Sequence, residues 1–162
     1  MKYESIDDFL KRGRDALAKG PVALIMVEDS TELATTMRHH QQAGFASVIA
    51  FMPDTFDLPP DLIETVHRIR YDMTADAALE TAVNAMIEAA SGQWLYYCYN
   101  AEYLFHPFCE TRSVAEMLAF HAEERRDAML TYVVDLYAAD LDRYPDAVDL
   151  DTAHLDLSLI HI

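Results

Sequence analysis

Three short apolar runs and one alternating run punctuate the first hundred residues, and they set the expected architecture. Val22-Ala23-Leu24-Ile25-Met26-Val27 lies between Pro21 and the polar pair Glu28-Asp29. Ser47-Val48-Ile49-Ala50-Phe51-Met52 is ended by Pro53, and Trp94-Leu95-Tyr96-Tyr97-Cys98-Tyr99 is ended by Asn100. Unbroken runs of this length, rich in β-branched and aromatic residues, predict strands buried on both faces. Val66-His67-Arg68-Ile69-Arg70-Tyr71 alternates apolar and polar instead, which predicts a strand nearer a sheet edge. The run from Trp94 reads as a central strand that turns polar at Asn100 and Glu102, where its carboxyl end would emerge. Ligands of open α/β sheets bind at such ends.

Helical patterns fill the gaps. Ser5 with Asp8 starts one, followed by Phe9, Leu10, Ala16 and Leu17 at helical spacing, with Gly20 as the closing residue. Ser30 caps a second through about Gln42, with Leu33, Ala34 and Met37 on one face and Gly44 as its stop. Pro59-Pro60 suits the first turn of a short helix. Thr74 caps a long helix over 75–90, striped by Leu79, Ala82, Val83, Met86 and Ile87 and ended by Gly92. Ser113 with Glu116 forms a capping box for another helix, and 128–134 is a further strand candidate. From Ala138 the chain is acidic and loop-like. Alternating strands and helices predict an α/β, doubly wound, mainly parallel sheet, in one domain over residues 1–156.

Composition narrows the partners. The chain has 162 residues, 52% of them hydrophobic, enough for one real core. Its net charge of −16 repels phosphate backbones, so nucleic acid is not an expected partner. No apolar run approaches the roughly 20 residues of a membrane span. The amino terminus lacks the basic-then-apolar pattern of a signal peptide. With only Cys98 and Cys109, a disulfide framework is not expected, which suits a cytoplasmic protein with reduced thiols.

The stretch from Trp94 resembles the strand that ends in an Asp-x-Asp motif in family-two-like glycosyltransferases. That pattern continues Asp-Ala-Asp-Glu-Phe-Leu, and this chain has Tyr99-Asn100-Ala101-Glu102-Tyr103-Leu104. Pro107-Phe108-Cys109-Glu110-Thr111-Arg112-Ser113 is similar too, as is Arg126-Asp127-Ala128-Met129 leading to Val133-Val134-Asp135-Leu136-Tyr137. Val27-Glu28-Asp29 ends the first apolar strand where the family places its nucleotide-contacting loop, and His39-His40 and Gly44-Phe45 precede the next strand as in the family. The resemblance spans roughly residues 20 to 156. It implies the N-terminal portion of an A-type nucleotide-sugar-binding fold, truncated at its carboxyl end. The implied ligand is a nucleotide-diphosphate sugar, with a glycan or lipid as acceptor of the sugar. The alternative is a catalytically inactive nucleotide- or glycan-binding module of the same fold.

The departure from the motif has a chemical meaning. The family's acid pair helps hold Mn²⁺ or Mg²⁺, hard cations that require several oxygen ligands. Here Tyr99 and Ala101 stand at the two aspartate positions, leaving only the Asn100 carbonyl and the Glu102 carboxylate. Mn or Mg is therefore expected only if the altered motif still binds metal, and weak or no Mn²⁺ binding is the expectation. No catalytic residue can be named. The candidate ligand contacts are Glu28, Asp29, Asp54, Asp72, Asn100 and Glu102, all at or after strand ends. His39-His40 reads as a solvated helix face, because adjacent helical residues point about 100° apart. His121 and Glu124 form a lone, weak metal-ligand pair. Some of Tyr96, Tyr97, Tyr99 and Tyr103 could stack on a sugar or base, and at least two are expected in the core. Finally, Leu157-Ser158-Leu159-Ile160-His161-Ile162 back-translates to the transposon end used in sequencing libraries. Residues 157–162 are read as a non-native tail, with the natural chain continuing where this one stops; the alternative is an ordinary apolar C-terminal strand.

Overall fold

A computed structural model describes residues 1–155. The tail at 157–162 lies outside the described residues. The chain divides into two compact units, Met1–Arg125 and a second that begins at Arg126.

The first unit is built on a five-stranded sheet in which every neighbouring pair runs parallel. Its strands are β1 (Lys2–Tyr3), β2 (Val22–Met26), β3 (Ser47–Met52), β4 (Val66–Arg70) and β5 (Leu95–Tyr99), in the order β1-β4-β3-β2-β5. The helices are α1 (Ile6–Arg12), α2 (Leu33–Gln42), α3 (Pro60–Ile63), α4 (Ala78–Ala89) and α5 (Val114–Glu123). They cover both faces. Ala23, Ile25 and Val27 point into one apolar layer with Leu33 and Met37 of α2, Leu62 of α3, and Val114 and Leu118 of α5. Val22, Leu24 and Met26 point into the other, with Phe9 of α1 and Ala82 and Met86 of α4. The fold is therefore α/β with helices on both faces of a parallel sheet, as the alternation of runs predicts.

β2 has no solvent-exposed side chain. Its uninterrupted apolar sequence follows from that, since both its faces are sealed by helices. β2 pairs with β3 on one side and β5 on the other, so the strand order reverses beside it. The chain steps outward from β2 through β3 to β4. Then α4 carries it back across to β5. The carboxyl ends of β2 and β5 thus border a topological switch point.

Several expectations need correction. β5 lies beside β2, but it is an edge strand rather than a central one: among the described residues nothing pairs with its other side. Nor is it buried on both faces, because Tyr97 is 53% exposed and only Cys98 is fully covered. Tyrosine combines an apolar ring with a hydroxyl that tolerates water, so an aromatic run can serve an edge. The first helix stops at Gly13, well short of Gly20, and a short 3-10 turn, Arg14–Leu17, follows. A Cβ on Gly13 would sit 2.5 Å from the Tyr3 hydroxyl, so the ring packs where only glycine fits. Neither Ser30 nor Thr74 caps its helix. α2 starts after Glu32 and α4 after Ala77, both with positive φ (48° and 53°). The sequence over 128–134 forms no strand. In the second unit, β6 (Leu136–Ala138) pairs antiparallel with β7 (Ala153–Leu155), and Asp140, Asp146 and Asp149 accept backbone hydrogen bonds in the turns between them. β1 was not foreseen, being only two residues long.

The capping box at α5 is present: the Ser113 hydroxyl accepts from the Glu116 N–H, and the Glu116 carboxylate accepts from the Ser113 N–H. Gly44 follows α2 with φ of 92°, and a Cβ there would lie 2.7 Å from the Ser113 Cβ. Gly92 also has positive φ, 79°, but open space around it. Gly44→Ala should therefore cost about 2 kcal/mol or more, and Gly92→Ala only about 1 kcal/mol of backbone strain. Urea unfolding of both variants checks the difference.

Candidate functional site

The carboxyl ends of β2 and β5 bring four of the six candidate residues to one place. Val27 is still in the core, and its N–H donates to the Phe51 carbonyl. The next residues leave the sheet at the switch point. The Glu28 N–H donates to the Asn100 Oδ1 at 3.0 Å. The Asn100 Nδ2 donates to the Asp29 Oδ1 at 2.7 Å and to the Thr31 carbonyl at 2.9 Å. Asp29 also accepts from the Thr31 N–H, which closes the turn before α2. That N–H, then the side-chain hydrogen bonds from Asn100 and Thr31, hold the Asp29 carboxyl below its ordinary range. The Glu102 carboxylate turns back to accept from the Tyr99 N–H at 2.8 Å.

α2 holds the segment that follows β5. The Thr36 Oγ1 accepts from the Ala101 N–H at 2.9 Å while donating to the Glu32 carbonyl. Ala101 itself has φ of 62°, a left-handed conformation that costs roughly 1 kcal/mol or more for a residue with a Cβ. The Thr35 hydroxyl meets the Tyr103 hydroxyl at 2.8 Å, and His39 Nε2 sits 2.9 Å from the Leu104 carbonyl. One turn deeper, His40 is fully buried. Its Nδ1 lies 2.8 Å from the Thr36 carbonyl and its Nε2 3.7 Å from the Cys98 Sγ. The carbonyl can only accept, so Nδ1 carries the proton and Nε2 faces the thiol as acceptor. The expectation of a solvated His39-His40 face therefore fails at His40. Leu33, Met37 and His40 fall on one stripe at spacings of four and three, and that stripe faces the sheet.

Asp54 and Asp72 go elsewhere. Asp54 lies on the far side of the sheet from β5, 3.0 Å from Lys2 of β1, with Arg68 and Arg70 of β4 at 3.2 and 3.5 Å. Lys2 ahead of the two arginines holds its carboxyl below the ordinary range. Asp72 accepts from the N–H and hydroxyl of Thr74, as turn chemistry. Pattern reading also missed Thr36, whose hydroxyl shapes the turn after β5; its place one turn before His40 on the buried stripe was the available signal.

The rim of the crevice is acidic. Burial raises the Tyr99 phenol above its ordinary pKa, and the charges of Glu28, Glu102 and Glu80 add to the shift. Tyr99, Asp76, Ala77, Leu79 and Glu80 border an open recess of about 330 Å³ at the start of α4. The donor set does not suit a hard divalent cation. Ala101 offers no ligand, Tyr99 is neutral, the Asn100 carbonyl already accepts from Glu28, and one Glu102 oxygen already accepts from Tyr99. Among the described residues no three His, Cys, Asp or Glu side chains converge as a metal site, the His121 and Glu124 pair included. The described residues also hold no helix long and apolar enough to cross a membrane.

No family model, curated protein or solved structure matches this chain.

Two outcomes follow from the layer beneath the site. Burial lowers the His40 pKa from 6.5 to about 4. The unfolded chain then binds the extra proton first, so this contribution to stability is complete above pH 6.5 and is lost as pH falls toward 4. Its size is roughly 3 kcal/mol. His67, also lowered by burial, adds in the same direction. Urea unfolding between pH 7 and 4.5 should show this slope, and His40→Leu should flatten it. Burial likewise pushes the Cys98 thiol up to about 12, whereas Cys109 is half-buried. Iodoacetamide at pH 8 should label Cys109 in the folded protein and Cys98 only after unfolding, as read by mass spectrometry.

Proposed function

We propose that this chain is the nucleotide-binding part of a glycosyltransferase-like protein, and that it takes a nucleotide-diphosphate sugar at the crevice between β2 and β5. The observation that carries the reading is the meeting of the Glu28-Asp29 loop with the Asn100–Glu102 turn at the point where a doubly wound sheet reverses its strand order. Such a crevice is where open α/β sheets bind ligands. The Glu28 N–H and the Asp29 carboxylate supply a donor and an acceptor for a base or ribose. The recess at the start of α4 reaches Tyr99, the last residue of β5, and the helix's positive dipole end favours a phosphate there against the neighbouring carboxylates. The sequence resemblance adds the sugar nucleotide as the substrate class.

A catalytically inactive nucleotide- or glycan-binding module is the second reading. It is favoured by the hydrogen bonds that occupy Asn100 and Glu102, which leave no carboxylate pair to hold the diphosphate's usual cation. Binding on either reading is independent of metal.

Calorimetry with uridine- and guanosine-diphosphate sugars, with and without Mn²⁺, tests both. We expect binding that Mn²⁺ does not strengthen, and no micromolar affinity for Mn²⁺ alone. Hydrolysis of the bound sugar nucleotide selects the transferase. Binding without turnover selects the module as a nucleotide binder, and no binding overturns the transferase and the nucleotide-binding module alike.

A further inference from the structure

One side chain ties the two loops together at the strand ends. Asn100 has one acceptor and two donor hydrogens on its amide, and all three are used on the opposite loop, at Glu28, Asp29 and Thr31. The strand does not depend on this side chain. The Asn100 backbone N–H bonds separately to the Met26 carbonyl at 3.0 Å, continuing the β2–β5 ladder. The Ala101 N–H is held by Thr36. A rotation about the Asn100 side chain therefore frees the Glu28 N–H and the Thr31 carbonyl and leaves the Asp29 carboxylate only its bonds from Thr31, while the backbone stays in register.

Building on the nucleotide reading above, we propose that Asn100 is a latch on the β2/β5 crevice, and that a nucleotide binds by displacing its amide from Glu28 and Asp29. The amide presents a carbonyl acceptor beside an N–H donor. The hydrogen-bonding edge of a nucleobase presents the same pair. The Glu28 N–H donates to, and the Asp29 carboxylate accepts from, either partner in the same pattern, so latch and base compete for one place. The free protein is held closed by an intramolecular stand-in for its ligand. Its apparent affinity is lowered by the fraction of molecules in which the latch is shut. The site is thereby sealed against weak or wrongly patterned molecules without any moving domain.

The test uses the full chain, with ADP, CDP, GDP and UDP as probes in calorimetry. Asn100→Ala removes the latch. Asn100→Val removes the amide without adding charge. Both variants should bind the preferred nucleotide about tenfold more tightly than the wild-type protein. In the wild-type protein, saturation with that nucleotide should move the Asn100 side-chain amide resonances to positions typical of a solvated amide. If the wild-type protein binds while both variants bind equally or more weakly, or if the Asn100 amide resonances stay in place, the latch is overturned and the nucleotide reading stands. If none of the three proteins binds any probe, the nucleotide reading fails and the latch fails with it.

Discussion

The complete enclosure of β2 is the constraint from which the rest follows. Its backbone is paired on both sides, to β3 and to β5, and helices close both of its faces. A parallel strand cannot be joined to its neighbour by a tight turn, so each addition to the sheet brings a crossing segment that must pack on one face or the other. With α2, α3 and α5 on one face and α1 and α4 on the other, both faces are covered. The reversal of strand order beside β2 is where consecutive crossings part, and it leaves a gap between their loops at the carboxyl end of this strand.

What fills that gap is organised from beneath by α2. Four consecutive-turn positions, Thr35, Thr36, His39 and His40, each hold a different atom of the segment from Cys98 to Leu104. The same helix begins directly after the Glu28–Thr31 loop that Asn100 binds. Both banks of the crevice are therefore fastened to one rigid rod, one through the chain and the other through side chains. This arrangement also explains how Ala101 keeps a left-handed backbone without glycine, since its N–H donates to the Thr36 Oγ1 on the neighbouring helix.

The apolar runs made β2 and β3 legible because a strand sealed on both faces leaves no alternative composition, and β5 was legible from its aromatic, β-favouring residues although one face is open. The stop at Gly44 and the Ser113 box were legible because each rests on local chemistry: a φ of 92° in one case, two reciprocal hydrogen bonds in the other. The position of β5 within the sheet was not legible, because lateral order depends on which crossings go which way, and the residues of a strand do not encode it. The run at 128–134 shows the limit of propensity: strand-favouring residues form a strand only where a partner edge meets them. At the site, the exposed acids at strand ends were visible as candidates. Asp54 and Asp72 could not be separated from Glu28 and Asp29 by composition. Their partners, three cations in one case and a threonine turn in the other, come from distant or neighbouring chain that pattern alone does not rank.

The outer side of β5 has a further consequence. Leu95 to Tyr99 contains no charge, no proline and no bulge, the devices by which sheets discourage pairing with strangers. Its protection comes from a distance. A net charge of −16 keeps copies apart before their edges can meet. Near the isoelectric point of about 4.5 that mutual repulsion disappears. Acidification then lets the unpaired edge of β5 meet its own kind, and the molecule's colloidal safety is a property of its whole surface rather than of the strand that needs it.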